Sequence, residues 1–185
     1  MNYSKVLWGI RAVLYKCLTN ISLPSYIGKP TYINQISKLS FGKKVRIYPG
    51  LRAEAYGRHG FIDIGSNVSI GQNFHIIAND EPLIIEDSVV ISGNVFITNC
   101  DHEYQQIDTF LYDQPLKTKQ TRIGKYSFIG YGAVIQAGTV LGKQCIVGSN
   151  SVVRGQFPDY SVIVGSPAKI IKRYNPESKC WEKSE

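Results

Sequence analysis

The sequence predicts a parallel β-helix of six-residue repeats, and three features of the chain predict it. From Ile123 the chain divides into six consecutive hexads, IGKYSF, IGYGAV, IQAGTV, LGKQCI, VGSNSV and VRGQFP, and each begins with Ile, Leu or Val. The fifth position of the first five hexads holds a small residue: Ser, Ala, Thr, Cys and Ser. Hexads in the same phase occur upstream, at 64–75 and 85–96. Internal repetition of this kind is typical of a solenoid.

A period of six indicates a chain that turns a corner every six residues. It is neither 3.6 nor 2, so it excludes an amphipathic helix and a plain alternating strand. We expect the aliphatic first position and the small fifth position to point inward, while Gly and Asn near the corners tolerate positive φ. Three short strands complete one coil, so two full coils fit in 123–158. A sandwich or barrel with many glycine turns is the alternative, and six in-phase hexads argue against it.

The bulk composition predicts one folded domain. The chain has 185 residues, of which 43% are hydrophobic, enough to bury a core. We expect an N-terminal helical or capping segment at 1–35, the β-helix at 36–165 with a protruding loop at 98–121, and a C-terminal tail at 166–185. The polar end of that tail, after Pro176, is expected to be a short helix or frayed.

An N-terminal helix is predicted over 4–20. An apolar stripe runs along it through Leu7, Ile10, Leu14 and then Cys17 or Leu18. Two roles suit the stripe. It caps the open end of the β-helix, where core and strand edges are otherwise exposed, or it docks on a membrane that carries a lipid-linked acceptor. Capping is the favoured interpretation.

Charge and cysteine usage limit the class of protein. The formal net charge is +7, and residues 1–60 hold ten Lys or Arg and a single acid, Glu54. Such a surface favours anionic partners, although no nucleic-acid motif is present and no nucleic-acid partner is predicted. The four cysteines form no CxxC pair, which predicts a reduced, cytoplasmic chain. The apolar stretch 6–18 is interrupted by Arg11 and Lys16, and we interpret it as neither a signal peptide nor a membrane span.

Three motifs carry a resemblance to a known family. They are the hexad run, its interruption at 97–124 with a His near the start, and the ending VIVGSPAKIIKRY at 162–174. Together these resemble the hexapeptide-repeat acyltransferases, and most of all the sugar and xenobiotic O-acetyltransferases, which include the maltose and galactoside enzymes. The resemblance covers about 60–174. It implies a left-handed β-helix, a homotrimer with active sites between subunits, acetyl-coenzyme A as co-substrate and no metal.

The resemblance also implies the catalytic groups. His102 matches the general base of the family, a role that suits imidazole because its pKa lies near working pH. Asp101 is a candidate to orient that ring. The oxyanion would bond to the backbone N–H of Tyr131 or Gly132. Family members often have a small residue where this chain has Tyr131, so its side chain is also a candidate wall of the pantetheine channel.

The residues that would bind coenzyme A and the acceptor are less clearly indicated than the catalytic groups. By the same resemblance, pantetheine would bond to the coils, and cations near the C-terminus would meet the adenosine phosphates, although a solvated basic tail is the alternative interpretation. Asn at a corner is more often a turn residue than a sugar ligand. The coenzyme candidates are Gly130, Tyr131, Ala133, Ser149, Arg154, Lys169, Lys172 and Arg173, and the acceptor candidates are Asn79, Asn99 and His75.

The predicted function is acetyl transfer from acetyl-coenzyme A to a sugar hydroxyl, in surface-polysaccharide synthesis in the cytoplasm or at the inner face of the membrane. The same fold supports N-acetylation of an aminosugar nucleotide and acetylation of a xenobiotic. A zinc enzyme of the γ-carbonic-anhydrase type is disfavoured by the wide spacing of His59, His75 and His102. A non-enzymatic scaffold would not need a His-bearing loop.

Overall fold

The computed structural model describes residues 3–184, with side chains from residue 5. One helix, α1 (Tyr3–Lys16), precedes a solenoid of short strands. Three sheets form the sides of the solenoid, and a two-stranded sheet projects from it. Single 3-10 turns lie at Ile36–Lys38 and Leu111–Asp113.

The strands are numbered in chain order, and the strands of each sheet are given in spatial order from one edge to the other. Sheet 1 contains β1 (Asn20–Ile21), β4 (Leu39–Phe41), β7 (Ile62–Ile64), β10 (Leu83–Ile85), β15 (Thr121–Ile123), β18 (Val140–Leu141) and β21 (Gln156–Phe157). Sheet 2 contains β2 (Tyr26–Ile27), β5 (Arg46–Ile47), β8 (Ser69–Ile70), β11 (Val90–Ile91), β16 (Phe128–Ile129), β19 (Ile146–Val147), β22 (Ser161–Gly165), β23 (Ala168–Asn175) and β24 (Cys180–Lys183). Sheet 3 contains β20 (Val152–Val153), β17 (Val134–Ile135), β12 (Phe96–Thr98), β9 (His75–Asn79), β6 (Arg52–Tyr56) and β3 (Tyr32–Ile33). The projecting sheet contains β13 (Cys100–His102) and β14 (Leu116–Thr118).

The predicted coils are confirmed. Ile123 pairs in parallel with Leu141, and Ile129 pairs in the same way with Val147. Every first-position side chain from 123 to 153 is at most 1% exposed, so these side chains form the core. The small fifth positions are equally buried: Ser127, Ala133, Thr139, Cys145 and Ser151. The fold is a left-handed parallel β-helix.

The coils upstream of the hairpin are wider than those downstream. Upstream, residues that pair across neighbouring coils are 20 to 23 apart, as Asn20 and Ser40 or Arg52 and His75 are. Downstream they are 18 or 16 apart, as Ile123 and Leu141 or Ile146 and Val162 are. The additional residues lengthen sheet 3, where β6 and β9 each have five residues while β17 has two. These longer strands present additional outward side chains on one side of the solenoid only.

The corner residues behave as expected from the sequence. Asn67, Asn73, Asn94 and Asn150 all have φ between 55° and 59°. Their amides also link successive coils, because Asn73 Nδ2 donates to Asn94 Oδ1 at 3.0 Å. The positive φ of Lys44, Tyr126 and Gln144 was not predicted, since these residue types carry no turn signal.

The helix α1 caps the first coil with a face other than the predicted one. Ala12 is fully buried, Trp8 packs edge-on against Tyr48 with ring centroids 5.4 Å apart, and Arg11 Nη1 donates to the Ile27 carbonyl at 2.8 Å. The favoured capping role is therefore seen, but the apolar stripe is not what caps: Leu7 and Leu14 are 61% and 62% exposed. Among the residues that the structure describes, no helix has the length and apolarity needed to cross a bilayer.

Two segment boundaries differ from the prediction. The parallel strands begin at Asn20, well before residue 36, because β1 and β2 lack the Gly-rich hexads that mark the later coils. The C-terminal segment is neither a helix nor frayed. Its strand β23 pairs antiparallel with β22 and β24 pairs antiparallel with β23, so the segment extends sheet 2 beyond the last coil.

Candidate active site beneath a β-hairpin

A hairpin interrupts the solenoid between β12 and β15. Its strands β13 and β14 pair antiparallel, with His102 opposite Leu116. The loop between them folds around the buried side chain of Gln114, whose Oε1 accepts from the N–H of Gln106 at 3.1 Å. Its Nε2 donates to the carbonyls of Gln106 and Thr109, each at 3.3 Å. The loop predicted at 98–121 is thus an ordered hairpin that holds His102 in a defined place.

Two asparagines anchor the base of this hairpin. Asn99 is fully buried, and its amide accepts from the N–H of Asn79 at 2.7 Å and donates to the Glu81 carbonyl at 2.8 Å. The amide of Asn79 donates to Thr118 Oγ1 at 3.0 Å. Both asparagines thus anchor the hairpin, and their role as sugar ligands stays a prediction. Both amides are used by the chain itself.

A pocket of about 650 Å³ lies between the hairpin and the outward side of sheet 3. The wide coils supply one wall and the hairpin supplies the other. The side chains from the coils are Arg52, Glu54, Tyr56, His75, Ile77, Phe96, Thr98, Val134 and Gln136. Those from the hairpin are Cys100, Asp101, His102, Tyr112, Gln114 and Leu116.

A buried carboxylate organises the wall formed by the coils. Glu54 is 6% exposed and accepts hydrogen bonds from Arg52 Nε at 2.6 Å and from the Tyr56 hydroxyl. His75 Nε2 lies 3.0 Å from Glu54 Oε1, and its ring packs against Phe96. Of these four polar side chains, only His75 was a candidate from the sequence. The available signal for Glu54 was its position as the single acid among the ten cations of residues 1–60.

The network determines the protonation of its members. Burial alone would raise the pKa of Glu54, but hydrogen bonds from Arg52, Tyr56 and His75 outweigh it and bring the pKa below its ordinary value of 4.5. The same hydrogen bond to Glu54, with burial, raises the pKa of Tyr56 from 10.0 to about 12. At neutral pH the site therefore holds an anionic Glu54 and a neutral Tyr56 hydroxyl.

His102 lies on the opposite wall, exposed to the pocket. Its ring meets that of Tyr112 edge-on, with centroids 5.4 Å apart. The nearby Cys100 is half-buried, and burial raises the pKa of its thiol. A protonated thiol is a poor nucleophile.

Asp101 and Arg154 lie beside His102 and form an ion pair with each other. Arg154 Nη2 donates to Asp101 Oδ2 at 2.6 Å. The pairing gives Asp101 a partner other than His102, and it neutralises a cation that was expected to bind phosphate. The two residues are 53 positions apart in the sequence, and the roles predicted for them stay predictions.

The backbone donors predicted for the oxyanion and for pantetheine are mostly used within the coils. The N–H of Gly132 donates to the Gly93 carbonyl at 3.1 Å, which argues against it as an oxyanion donor. Those of Gly130 and Ala133 are used in the same way, at 2.9 and 3.3 Å. Tyr131 and Ser149 are exposed at corners, and the Tyr131 hydroxyl bonds to the amide of Asn94. None of these residues lines the pocket of His102.

Three further cations predicted to bind coenzyme A lie together but away from the pocket. Lys169, Lys172 and Arg173 are exposed on β23, the antiparallel strand of sheet 2, whereas the pocket lies on sheet 3. Within residues 3–184 no group of three or more His, Cys, Asp or Glu is placed to hold a metal ion. His59, the third histidine, is exposed at the turn after β6.

The solenoid, the repeat and the His-bearing hairpin define a hexapeptide-repeat transferase. The family described as bacterial transferase hexapeptide (six repeats) matches residues 120–155. WbbJ of Escherichia coli K12, whose name describes an O-acetyl transferase of lipopolysaccharide biosynthesis, is 36% identical over 167 residues, which cover 84% of this chain and 82% of WbbJ. The chain belongs to the hexapeptide-repeat acetyltransferase family.

Two further comparisons concern a relative in sequence and a relative in fold. The galactoside O-acetyltransferase of the same organism is 28% identical over 127 residues, which cover 64% of this chain and 60% of that enzyme. The crystal structure of AntD, an N-acyltransferase from Bacillus cereus in complex with dTDP and 3-hydroxybutyryl-CoA, superposes with a TM-score of 0.74 at 19% identity. That superposition covers 91% of this chain and 90% of AntD, and it shows a shared fold.

Proposed function

We propose that this protein transfers the acetyl group of acetyl-coenzyme A to a hydroxyl of a sugar, in the synthesis of a bacterial surface polysaccharide. The observation that carries the proposal is the placement of His102 on an ordered hairpin, across a pocket from a wall of hydrogen-bonding side chains. The similarity to WbbJ supports an oxygen acceptor and a glycan product.

In the proposed reaction, His102 acts as general base. A ring nitrogen accepts the acceptor's hydroxyl proton as the oxygen attacks the thioester carbonyl carbon. The carbonyl oxygen becomes negative and then re-forms the double bond as the C–S bond breaks. The coenzyme A thiolate leaves and takes the proton from His102. The products are an acetyl ester and free coenzyme A, and no metal is needed.

The rest of the site would be completed by a neighbouring copy. The pocket of His102 contains neither Tyr131 nor the cations of β23, so one chain does not bring the base together with these coenzyme candidates. In a homotrimer, the N–H of Tyr131 from an adjacent copy would bind the oxyanion, and Lys169, Lys172 and Arg173 would meet the phosphates of coenzyme A. One such oxyanion donor is worth roughly 3 kcal/mol of transition-state stabilisation.

The network around Glu54 would form the acceptor subsite. Glu54 is too buried to take part directly, but it holds Arg52, Tyr56 and His75 in place. These side chains offer hydrogen-bond groups to sugar hydroxyls, and Phe96 offers an apolar surface for a sugar ring. A fixed set of polar groups is what distinguishes one arrangement of hydroxyls from another.

The test compares two histidine variants. His102→Ala should fold and bind acetyl-coenzyme A in calorimetry, but it should lose about 10²–10⁴-fold in the rate of coenzyme A release with an accepted sugar. His59→Ala is the matched control, because that residue is exposed outside the pocket, and it should keep the wild-type rate. A His102→Ala enzyme with near-normal turnover would remove this residue from the mechanism.

N-acetylation of an aminosugar is the competing function, since the same base could take a proton from an attacking amine. The two products differ in chemical stability. Mild alkali removes an acetyl ester from oxygen and leaves an amide intact, so mass spectrometry of the product before and after alkali separates them. An alkali-stable acetyl group would replace the proposed ester with an amide.

A further inference from the structure

The outward face of α1 is apolar. In a helix that covers a core, the apolar stripe normally turns inward. Here Trp8, Arg11 and Ala12 face the first coil, and the stripe lies on the other side. The exposed aliphatic residues are Val6 (42%), Leu7 (61%), Ile10 (52%), Val13 (52%) and Leu14 (62%), and Leu18 (61%) follows the helix.

This exposed stripe is continuous and belongs to a helix that is already anchored. Positions 6 and 7 precede position 10 by four and three residues, and positions 13 and 14 follow it by three and four, so all five share one side of the helix. A contiguous apolar patch of this kind is rare on a soluble monomer and marks a surface that meets another apolar phase. Because Arg11 holds α1 to the coil, the stripe is presented in a fixed orientation.

The surroundings of the stripe are cationic. No Asp or Glu precedes Glu54 in the sequence, and Lys5 and Lys16 are exposed near the two ends of the helix. Beside α1 runs a groove of about 560 Å³ that contains Lys5, Trp8, Tyr26, Arg46 and Tyr48. Aromatic and basic side chains that border an aliphatic surface match the boundary between lipid headgroups and acyl chains.

We propose that α1 docks this protein on the surface of an anionic lipid bilayer. The helix lies in the plane of the membrane with Leu7, Ile10 and Leu14 inserted at the acyl boundary. Lys5, Lys16 and Arg46 meet lipid phosphates, where each cation near an anionic surface strengthens binding about fivefold. A second copy of the chain is a poorer occupant, since two such surfaces would bring like charges together. The proposal is independent of the acceptor and of the chemistry at His102.

The test is co-sedimentation of the full chain with vesicles. Vesicles of phosphatidylcholine with about a third phosphatidylglycerol should retain the protein, and vesicles of phosphatidylcholine alone should retain it at least tenfold less well, since the charges contribute most of the difference. A double variant, Leu7→Glu with Leu14→Glu, should lose at least tenfold in binding to the anionic vesicles. Both side chains are more than half exposed, so the variant should fold.

Two controls separate the other outcomes. Ile107→Glu introduces the same charge at an 82% exposed apolar residue of the hairpin and should leave vesicle binding unchanged. Light scattering of the wild type and the double variant gives the number of copies in the assembly. Binding to anionic vesicles that only the α1 variant loses would support docking. Absence of vesicle binding, or an α1 variant that changes the copy number while vesicle binding persists, would overturn the proposal.

Discussion

Replacement of Glu54 by Gln removes the charge that organises the acceptor wall while keeping the shape of the side chain. The carboxylate accepts hydrogen bonds from Arg52, Tyr56 and His75. Bonds to a charged group contribute roughly 1.5–3 kcal/mol each. The Arg52 side chain is 51% exposed, so solvent screens its bond and this bond contributes little. Relief of the buried charge offsets part of the loss, which leaves a net destabilisation of about 2 kcal/mol at pH 7.

The pH dependence of this loss identifies its source. The folded-state pKa of Glu54 is depressed below 4.5, so the carboxylate stabilises the fold above that pH, and the contribution disappears as pH falls through the folded pKa. Thermal unfolding at pH 7 should show a Tm lower by about 4–8 °C for Glu54→Gln than for wild type. The difference should shrink as the pH is lowered below 4.5.

The matched control is Asp63→Asn, which removes an exposed carboxylate on β7 and should leave Tm nearly unchanged. The reasoning is refuted by a Glu54→Gln protein as stable as wild type at pH 7. A Tm difference that stays constant from pH 7 to the acid range would refute it too, because the charge would then not be the source of the stability.

Two further predictions concern the same site. Ultraviolet titration should show a Tyr56 phenol that ionises near pH 12, and this transition should be absent from Tyr56→Phe and retained in Tyr104→Phe. The stabilising bond from Tyr56 to Glu54 should persist below pH 10.0 and be lost as the pH rises toward 12. Ionisation of Tyr56 together with the other tyrosines would contradict the network. Gln114→Ala should remove about 2–3 kcal/mol of local stability from the hairpin loop and speed its amide hydrogen exchange about 30–150-fold, with little change in Tm. Gln105→Ala, an exposed neighbour, should exchange as wild type does, and equal rates in both variants would mean that Gln114 does not hold the loop.

The coils were predictable because each coil of a β-helix contacts only the neighbouring coils. Each first-position aliphatic needs only the equivalent residue of the next coil, so Ile123, Ile129 and Ile135 reveal their burial by spacing alone. The resemblance to a family added His102 on the interrupting loop. The first coil, before residue 36, was missed because it lacks regular hexads, although its strands pair in the same way.

The functional assignments were less predictable because they depend on contacts between coils. Asp101 and Arg154 are 53 residues apart and meet only because the hairpin turns back over the coils. Glu54 and His75 lie on the neighbouring strands β6 and β9, and they meet because of a coil length that the hexads do not display. The amide of Asn99 looked available for a sugar, yet the backbone at the base of the hairpin occupies it.

The helix α1 shows most plainly which features follow from the sequence and which depend on the tertiary structure. Its helical periodicity and its apolar stripe are properties of the sequence, because both arise from the order of residues over a few turns. Which face turns inward was decided by the first two coils: the Ile27 carbonyl of the first accepts from Arg11, and Tyr48 of the second packs against Trp8. The sequence alone therefore determined the repeat, the coil and the position of His102. The tertiary structure decided which polar groups pair within the pocket and which apolar surface is left for a partner, since both depend on contacts between residues distant in the chain.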